Sequence, residues 1–421
     1  MIEVTELILS MLSALILGVG MWRSMRKNPD PFSPIKIYIV FNTFFYADIF
    51  FGEHNFLVRA IYLAQCSIIL ICGFFEPKGV GLNWEGVRKQ AVKTKKMVLL
   101  VWVLSVFPIA TQLMVIGELG GVASAISNIA LRVKYFEGRG YILIINSSFI
   151  VLNLIHFCAV LISKSKRNLI LYVFHFSILV LIGLLSGSRS FIVMTLLAAV
   201  VIYSYLFKRI KKSKLLLIFF AFASLVAILG ELRNTVSVAD DVVSFENYGS
   251  SGGLEGSHFK YGLIPLDIIT ASNLSELQWG KTYLSLLTNF IPRAINSDKL
   301  ESGGVYFTRV YADNAWGGDS NLATGAVTEG IINFGFGFGL IFGLTGIFVF
   351  YILGILAYKK LILRGMNEKT FMFLIPYIYF ILLAARYSYS EFSYVIFSFV
   401  LTVIFPWYLF RFLYGKSVRL N

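Results

Sequence analysis

The chain of 421 residues is 57% hydrophobic and has a net charge of +14, with 37 Lys and Arg residues against 23 Asp and Glu residues. Long apolar runs at this frequency exclude an ordinary soluble domain and indicate membrane-spanning helices. The positive charge does not indicate a nucleic-acid partner, because it is divided among short connections between the apolar runs.

Eleven apolar runs, each about long enough to cross a bilayer as a helix, follow one another along the chain. The fold class predicted from them is an all-α integral membrane protein, with residues 1–421 forming a single polytopic domain. The predicted spans are 4–22, 34–52, 56–75, 97–117, 141–162, 169–185, 190–207, 215–231, 330–357, 370–385 and 392–410.

The charges of the connections predict the orientation of the chain. Alternate connections, beginning with residues 23–36, hold 25 of the 37 basic residues and only four of the 23 acidic ones. Lys and Arg are retained on the cytoplasmic side. We therefore expect a multi-pass protein with its N-terminus on the outer side, its C-terminus on the cytoplasmic side and membrane lipid around it.

The connection 232–329 is much longer than the other nine and is predicted to lie on the outer side. Its apolar stretches 259–277 and 281–291 are typical of short helices lying at a membrane surface. Because a loop of this length is unlikely to be a passive tether, function is expected to concentrate there.

Arginines on the outer side are the candidates for binding phosphate, because a guanidinium offers paired donors. Arg189 lies in a Ser-Gly-Ser-Arg-Ser turn whose following helix offers free N–H groups. The full set is Arg189, Arg233, Arg293, Arg309 and Arg386. Each of these residues also has a structural interpretation as a solvated or interfacial side chain.

For acid or base work the sequence favours Glu329, then His258, on the same side. The other candidates there are Asp313, Asp319, Glu231, Glu255, Asp267 and Glu391. Glu329 is predicted to begin the ninth span, where it could serve as a helix cap, whereas His258 is the only histidine of the long loop. Near the second and third spans, Asp48 is placed to neutralise Arg59. The pattern of His and Cys residues suggests no metal site, and no cofactor is expected.

Several short motifs resemble those of Wzy-type O-antigen or oligosaccharide repeat-unit polymerases. They are the Gly-Ser-Arg-Ser turn at 187–190, Glu-Leu-Arg-Asn at 231–234, Ile-Pro-Arg at 291–293 and Thr-Glu-Gly-Ile-Ile-Asn-Phe-Gly at 328–335. Ten residues separate Arg293 from Gly304 and fifteen separate Arg233 from Gly249, spacings associated with the outer loops of such polymerases.

The resemblance implies a class C glycosyltransferase-like enzyme that acts without a metal. It would lie in the bacterial inner membrane, with its N-terminus and the connection 232–329 in the periplasm. Its substrates would be oligosaccharides linked to undecaprenyl pyrophosphate, and a chain-length regulator protein is an implied partner. An O-antigen ligase, which transfers the glycan to lipid A core, is the nearest alternative, and a polysaccharide flippase is a more distant one. A transporter would need charged groups deep within several spans, and most charges here lie at the span edges.

Overall fold

The computed structural model describes residues 4–79, 93–122, 124, 139–185, 189–210, 214–215, 217–218, 221, 224, 236–239, 242–245, 260–274, 276–291, 299–313, 322–363 and 371–419. Helices dominate these residues. Those of the first half are α1 (Val4–Lys27), α2 (Pro34–Phe45), α3 (Phe56–Phe75), α4 (Thr94–Glu118), α5 (Gly140–Ser163), α6 (Lys166–Leu185) and α7 (Arg189–Leu206).

The second half begins with a short antiparallel hairpin and continues with helices. Strands β1 (Val236–Ala239) and β2 (Val242–Phe245) pair Val236 with Phe245 and Ala239 with Val242. The helices are α8 (Ile264–Ala271), α9 (Lys281–Asn289), α10 (Gly303–Tyr311), α11 (Gly325–Tyr358), α12 (Leu374–Tyr387), α13 (Phe392–Ser398) and α14 (Phe405–Arg419). Short 3₁₀ turns are Ala47–Phe50 and Phe371–Phe373, and π-helical segments are Lys359–Leu363 and Phe399–Ile404.

The prediction of a helical, multi-pass membrane protein is confirmed. Among the described residues, seven helices are long and apolar enough to cross a membrane, and three shorter apolar helices accompany them. Every predicted span except 215–231 corresponds to one of these helices. Because 215–231 lies largely outside the described residues, the count of eleven spans stays a prediction.

The long connection contains the short helices that its apolar stretches predict. Helix α8 lies within 259–277, with Pro265 in its first turn, and α9 lies within 281–291. Helix α10 and the β1–β2 hairpin were not predicted. Helix α11 begins at Gly325, five residues before the predicted span at 330.

The chain divides into two compact units by the contacts between its residues. One unit comprises Met1–Leu82, Gly252–Arg364 and Tyr379–Phe399, and the other comprises Asn83–Ser251, Gly365–Ile378 and Val400–Asn421. The single polytopic domain predicted for 1–421 stays a prediction.

The second unit packs α4, α5, α6 and α7 around buried apolar side chains. Its core cluster is Phe149, Leu179, Ile182 and Phe191. Next to Phe149, the ring of His175 contacts Ser105 Oγ and Asn153 Nδ2, both at 2.9 Å. These hydrogen bonds are buried between apolar helices, so they fix how α4, α5 and α6 meet.

In the first unit, α11 is a helical hairpin rather than one straight helix. Gly335 has φ 78° and ψ 173°, which breaks the helix into a short arm, 325–334, and a long arm, 336–358. A left-handed φ favours glycine, because it has no Cβ to collide with the backbone. The short arm doubles back along the long arm, so that Gly330 lies against Gly339 and Val327 lies against Gly343.

The small residues of this segment therefore allow the two arms of the hairpin to pack closely. A Cβ on Gly343 would lie 2.6 Å from the Cα of Val327. The short arm ends on the turn before α9, where Gln278 N donates to Ile332 O at 3.1 Å and Trp279 N donates to Asn333 O at 3.0 Å. These bonds satisfy carbonyls that the helix end leaves free.

Candidate functional site

The hairpin places Glu329 inside the first unit, with no exposed surface. Its Oε1 atom accepts a hydrogen bond from Thr282 Oγ1 at 3.0 Å, and its Oε2 atom accepts one from Phe392 N at 2.7 Å. Phe392 is the first residue of α13, so Glu329 caps the N-terminus of α13. The expectation that Glu329 starts its own helix is wrong, because α11 begins four residues earlier, at Gly325.

Asn333 orients the Thr282 hydroxyl toward Glu329. Its Nδ2 atom donates to Thr282 Oγ1 and to Glu329 O, both at 2.7 Å, and its Oδ1 atom accepts from Gly280 N at 2.8 Å. Because the Thr282 oxygen accepts from Asn333, its proton is free to be donated to the carboxylate. The network joins the short arm of α11 to α9 and fixes the Glu329 carboxylate.

A second carboxylate, Glu391, lies at the same place, immediately before α13. It is half-buried, and its Oε2 atom accepts a hydrogen bond from Gly304 N at the start of α10. Burial raises the pKa of Glu391 above its ordinary value, although the Gly304 N–H, the Ser302 hydroxyl and the charge of Arg386 act in the opposite direction. Glu391 also lies within electrostatic range of Glu329.

Two adjacent glycines at the start of α10 make room for the two carboxylates. A Cβ on Gly303 would lie 2.9 Å from Glu329 Oε1, and one on Gly304 would lie 2.8 Å from Glu391 Oε2. These distances are shorter than van der Waals contact. The first turn of α10 has free N–H groups. It can approach both carboxylates only because Gly303 and Gly304 have no side chains.

Arg386, at the end of α12, is the predicted phosphate ligand that lies beside this pair. Its Nε atom donates to Ser390 Oγ at 3.0 Å, and its Cζ atom lies 4.8 Å from the ring centroid of Tyr394. No carboxylate among the described residues lies at ion-pair distance from its guanidinium. The Nη groups of Arg386 are thus not committed to an acidic partner within this part of the chain.

Aromatic rings surround Arg386. Tyr389 packs against Phe45, with ring centroids 4.2 Å apart, and against Tyr261, with centroids 5.9 Å apart. Tyr261 and Tyr394 are exposed, whereas Tyr389 is buried. In such a site the arginine can bind an anion, and the exposed aromatic rings can pack their apolar faces against the ring of a sugar.

Arg309 lies on α10 but is held in a different way. Its Nε atom donates to Glu301 Oε1 at 3.0 Å and its Nη2 atom to Glu301 Oε2 at 2.7 Å, forming a bidentate and largely exposed ion pair. Pyrophosphate would have to displace Glu301 in order to bind the same donors.

The remaining predicted residues are not brought into this site by the described structure. Arg189 is the first residue of α7, in the second unit, and its side chain lies outside the described part. Arg233, Arg293 and His258 also lie outside the described residues. Their assigned roles stay predictions.

The expected pairing of Asp48 with Arg59 is wrong. The Arg59 guanidinium is buried and donates to three backbone carbonyls, Ile49 O at 2.7 Å, Gly52 O at 2.9 Å and His54 O at 3.1 Å, and also to Ser10. Asp48 instead contacts His54 Nε2 at 3.1 Å and Lys260 Nζ at 3.4 Å. The turn before α3 folds its carbonyls over Arg59, so the arginine needs no carboxylate.

Comparisons of the chain with known protein families, with curated proteins and with solved structures found no match.

Proposed function

We propose that the protein is a glycosyltransferase that polymerises oligosaccharide repeat units linked to undecaprenyl pyrophosphate. It would transfer the growing glycan from one lipid carrier to a new lipid-linked repeat, at the outer face of the bacterial inner membrane. The observation that supports this most directly is Arg386, which has no acidic partner at ion-pair distance among the described residues and lies beside Glu391 and exposed tyrosine rings.

The chemistry of the transfer requires the groups that meet in this site. The leaving pyrophosphate gains negative charge in the transition state, and Arg386 can stabilise it. The acceptor hydroxyl must lose a proton, for which the site offers a carboxylate. Exposed rings such as Tyr261 and Tyr394 can pack against the sugars.

A polyprenyl substrate also requires an apolar surface next to the polar groups. Helix α9 holds Thr282 against Glu329 on one side, and it exposes Leu284 and Leu287 on the other. Its residue Tyr283 stacks on Phe334 and contacts Phe342 of α11. A short helix that is polar toward the site and apolar toward its surroundings suits the membrane interface.

The surface glycan of a strain lacking the protein tests the proposal against its alternatives. Lipid A core capped by single repeat units would indicate a missing polymerase. Lipid A core without any repeat would indicate a ligase or a flippase and contradict the proposal. Expression of the wild-type chain should restore long polymer, whereas an Arg386→Ala variant present at an equal level in the membrane should not.

A further inference from the structure

The two carboxylates of the site differ in what they can contact. Glu329 has no exposed surface, and both of its oxygens accept hydrogen bonds from the protein, one from Thr282 and one from Phe392. A group held in this way cannot reach an acceptor hydroxyl without losing a bond and opening the hairpin. Glu329 is instead well placed to fix the positions of Thr282 and of the first residue of α13, Phe392.

Glu391 is more accessible and lies nearer to the cation. It is half-buried, it immediately precedes α13, and its charge interacts with that of Arg386. A substrate whose pyrophosphate contacts Arg386 would therefore bring its reacting carbon close to Glu391.

We propose that Glu391 is the general base of the transfer and that Glu329 is a positioning residue that fixes the start of α13. This inference rests on the proposed function and reassigns the role that the sequence favours for Glu329. The link between the two residues is direct, because Glu329 accepts from the N–H of Phe392, the residue that follows Glu391.

The proposed step moves one proton and one glycosyl group. The acceptor hydroxyl gives its proton to a carboxylate oxygen of Glu391, and the acceptor oxygen forms a bond to the anomeric carbon of the donor glycan. The bond from that carbon to the pyrophosphate oxygen breaks, and its electron pair leaves with the polyprenyl pyrophosphate beside Arg386. Glu391 then releases the proton to water.

Donor binding should make Glu391 a stronger base. In the free protein, the charge of Arg386 lowers the pKa of Glu391, opposing the larger effect of burial. A pyrophosphate on Arg386 would offset that positive charge, so the pKa of Glu391 would rise further. The base would thus be strongest when the donor is in place.

The dependence of polymerisation rate on pH, measured with purified protein and lipid-linked repeats, separates the two carboxylates. The wild-type rate should rise with pH on an acid limb that lies above the ordinary range of a carboxyl group, because the base must be ionised. Glu391→Gln should lower the rate by about 10²-fold or more and abolish this limb. Glu329→Gln should lower thermal stability and the rate but keep the limb, because its role is positional.

Glu391→Asp is the rescue variant, and it takes over the test should Glu391→Gln fail to fold. It should keep an acid limb at a reduced rate. A wild-type rate and limb in Glu391→Gln, loss of the limb in folded Glu391→Asp, or loss of the limb in Glu329→Gln alone would overturn the inference. Those results leave the proposed function intact, because it is tested separately by whether the wild-type protein makes polymer.

Glycine variants provide a second test that leaves both carboxylates unchanged. Gly304→Ala should displace the Glu391 carboxylate, because the new Cβ would lie 2.8 Å from its Oε2 atom and 2.8 Å from Leu322 O. We expect a rate at least tenfold below that of the wild type. Gly337→Ala is the matched control, since nothing lies within 4 Å of a Cβ there. Equal rates in the two variants would contradict the proposed placement of Glu391.

Discussion

Buried charged groups in the first unit differ in how far the protein satisfies them, and their behaviour should differ accordingly. Arg59 donates to backbone carbonyls, and Glu329 accepts from a hydroxyl and a backbone N–H. Glu76, just after α3, has neither arrangement. It is 1% exposed, and neither of its carboxylate oxygens accepts a well-formed hydrogen bond from the described residues, although the Ser33 and Ser24 hydroxyls lie nearby.

Replacing Glu76 by Gln should stabilise the protein, increasingly so as the pH rises. Burial raises the pKa of Glu76, although the nearby Ser33, Ser24, Lys36 and Lys27 oppose the rise. A raised carboxyl pKa means that folding favours the protonated form. The contribution of Glu76 to stability is therefore complete at low pH and is lost as the pH rises through its raised pKa.

Thermal unfolding of wild-type protein and Glu76→Gln in detergent at several pH values measures this effect. The difference between their midpoints should grow from acidic to alkaline pH, because only the wild type has to ionise a buried carboxyl group. A constant difference, or a wild type that is more stable at alkaline pH, would show that Glu76 has donors when ionised.

Arg386 and Arg309 are both predicted phosphate ligands, but they should respond differently to substitution. Arg386→Ala should reduce polymerisation by about 10²-fold or more, as expected for removal of a group that stabilises developing charge. Arg386→Lys should restore little, because it lacks paired donors. Arg309→Ala should have the smaller effect, because Arg309 already binds Glu301 through both donors.

Polymer length and membrane protein level, measured side by side for these variants, test the difference. Loss of the exposed Arg309–Glu301 pair should cost at most about 1 kcal/mol of stability. An Arg309→Ala variant with less activity than Arg386→Ala would instead assign the pyrophosphate to α10.

At the scale of elements, the α11 hairpin determines which residues form the site. Hydropathy is continuous through 330–357, so the sequence predicts one straight span there. The fold of the segment depends on the left-handed backbone at Gly335 and on backbone contact between its arms. The apolar pattern could predict nearly every helix, because span length is a local property of the chain, but it could not predict where the chain reverses.

The same limit applies to the site. Glu391 and Gly304 lie 87 residues apart in the chain, and Glu329 and Phe392 lie 63 apart. Their contacts are tertiary, so charge and position in the sequence could mark Glu329 and Arg386 as candidates without showing which groups they meet. The pair Gly303-Gly304, after a serine at a helix start, was the signal that could have indicated a close backbone approach.

The hairpin can be tested by adding one methyl group. Gly339→Ala should place a Cβ in the backbone of Gly330 and force the arms apart, with a stability loss of about 1–3 kcal/mol. Because Glu329 lies on the displaced arm, polymerisation should fall as well. Gly337→Ala, on the same arm in open space, should be neutral or slightly stabilising. Equal unfolding midpoints for the two variants would contradict the hairpin.

At the scale of the whole molecule, the proposed chemistry depends on orientation. The charge distribution predicts that α9 and residues 232–329 face the periplasm. A single cysteine at Lys281, in a chain whose three native cysteines have been replaced, should react with a membrane-impermeant maleimide added to whole cells with a permeabilised outer membrane. A cysteine at Lys208 should react only after the inner membrane is opened. The reverse pattern would place the site on the cytoplasmic side.

The three native cysteines are suitable for removal in that experiment. Cys66, Cys72 and Cys158 are all buried and unpaired by disulfides. They lie in α3 and α5, and small replacements should preserve packing, although the Cys66 thiol also donates to Asn42 Oδ1 at 3.9 Å.

The most direct test of the account is reconstitution of the purified protein in liposomes with a single substrate, the undecaprenyl-pyrophosphate-linked repeat unit. We expect the wild-type protein to form a ladder of products that grow by one repeat at a time without added nucleotide sugar, and Arg386→Ala to form none. A wild-type protein that is folded and correctly inserted yet leaves every repeat unjoined would contradict repeat-unit polymerisation. A normal ladder from Arg386→Ala would contradict the site.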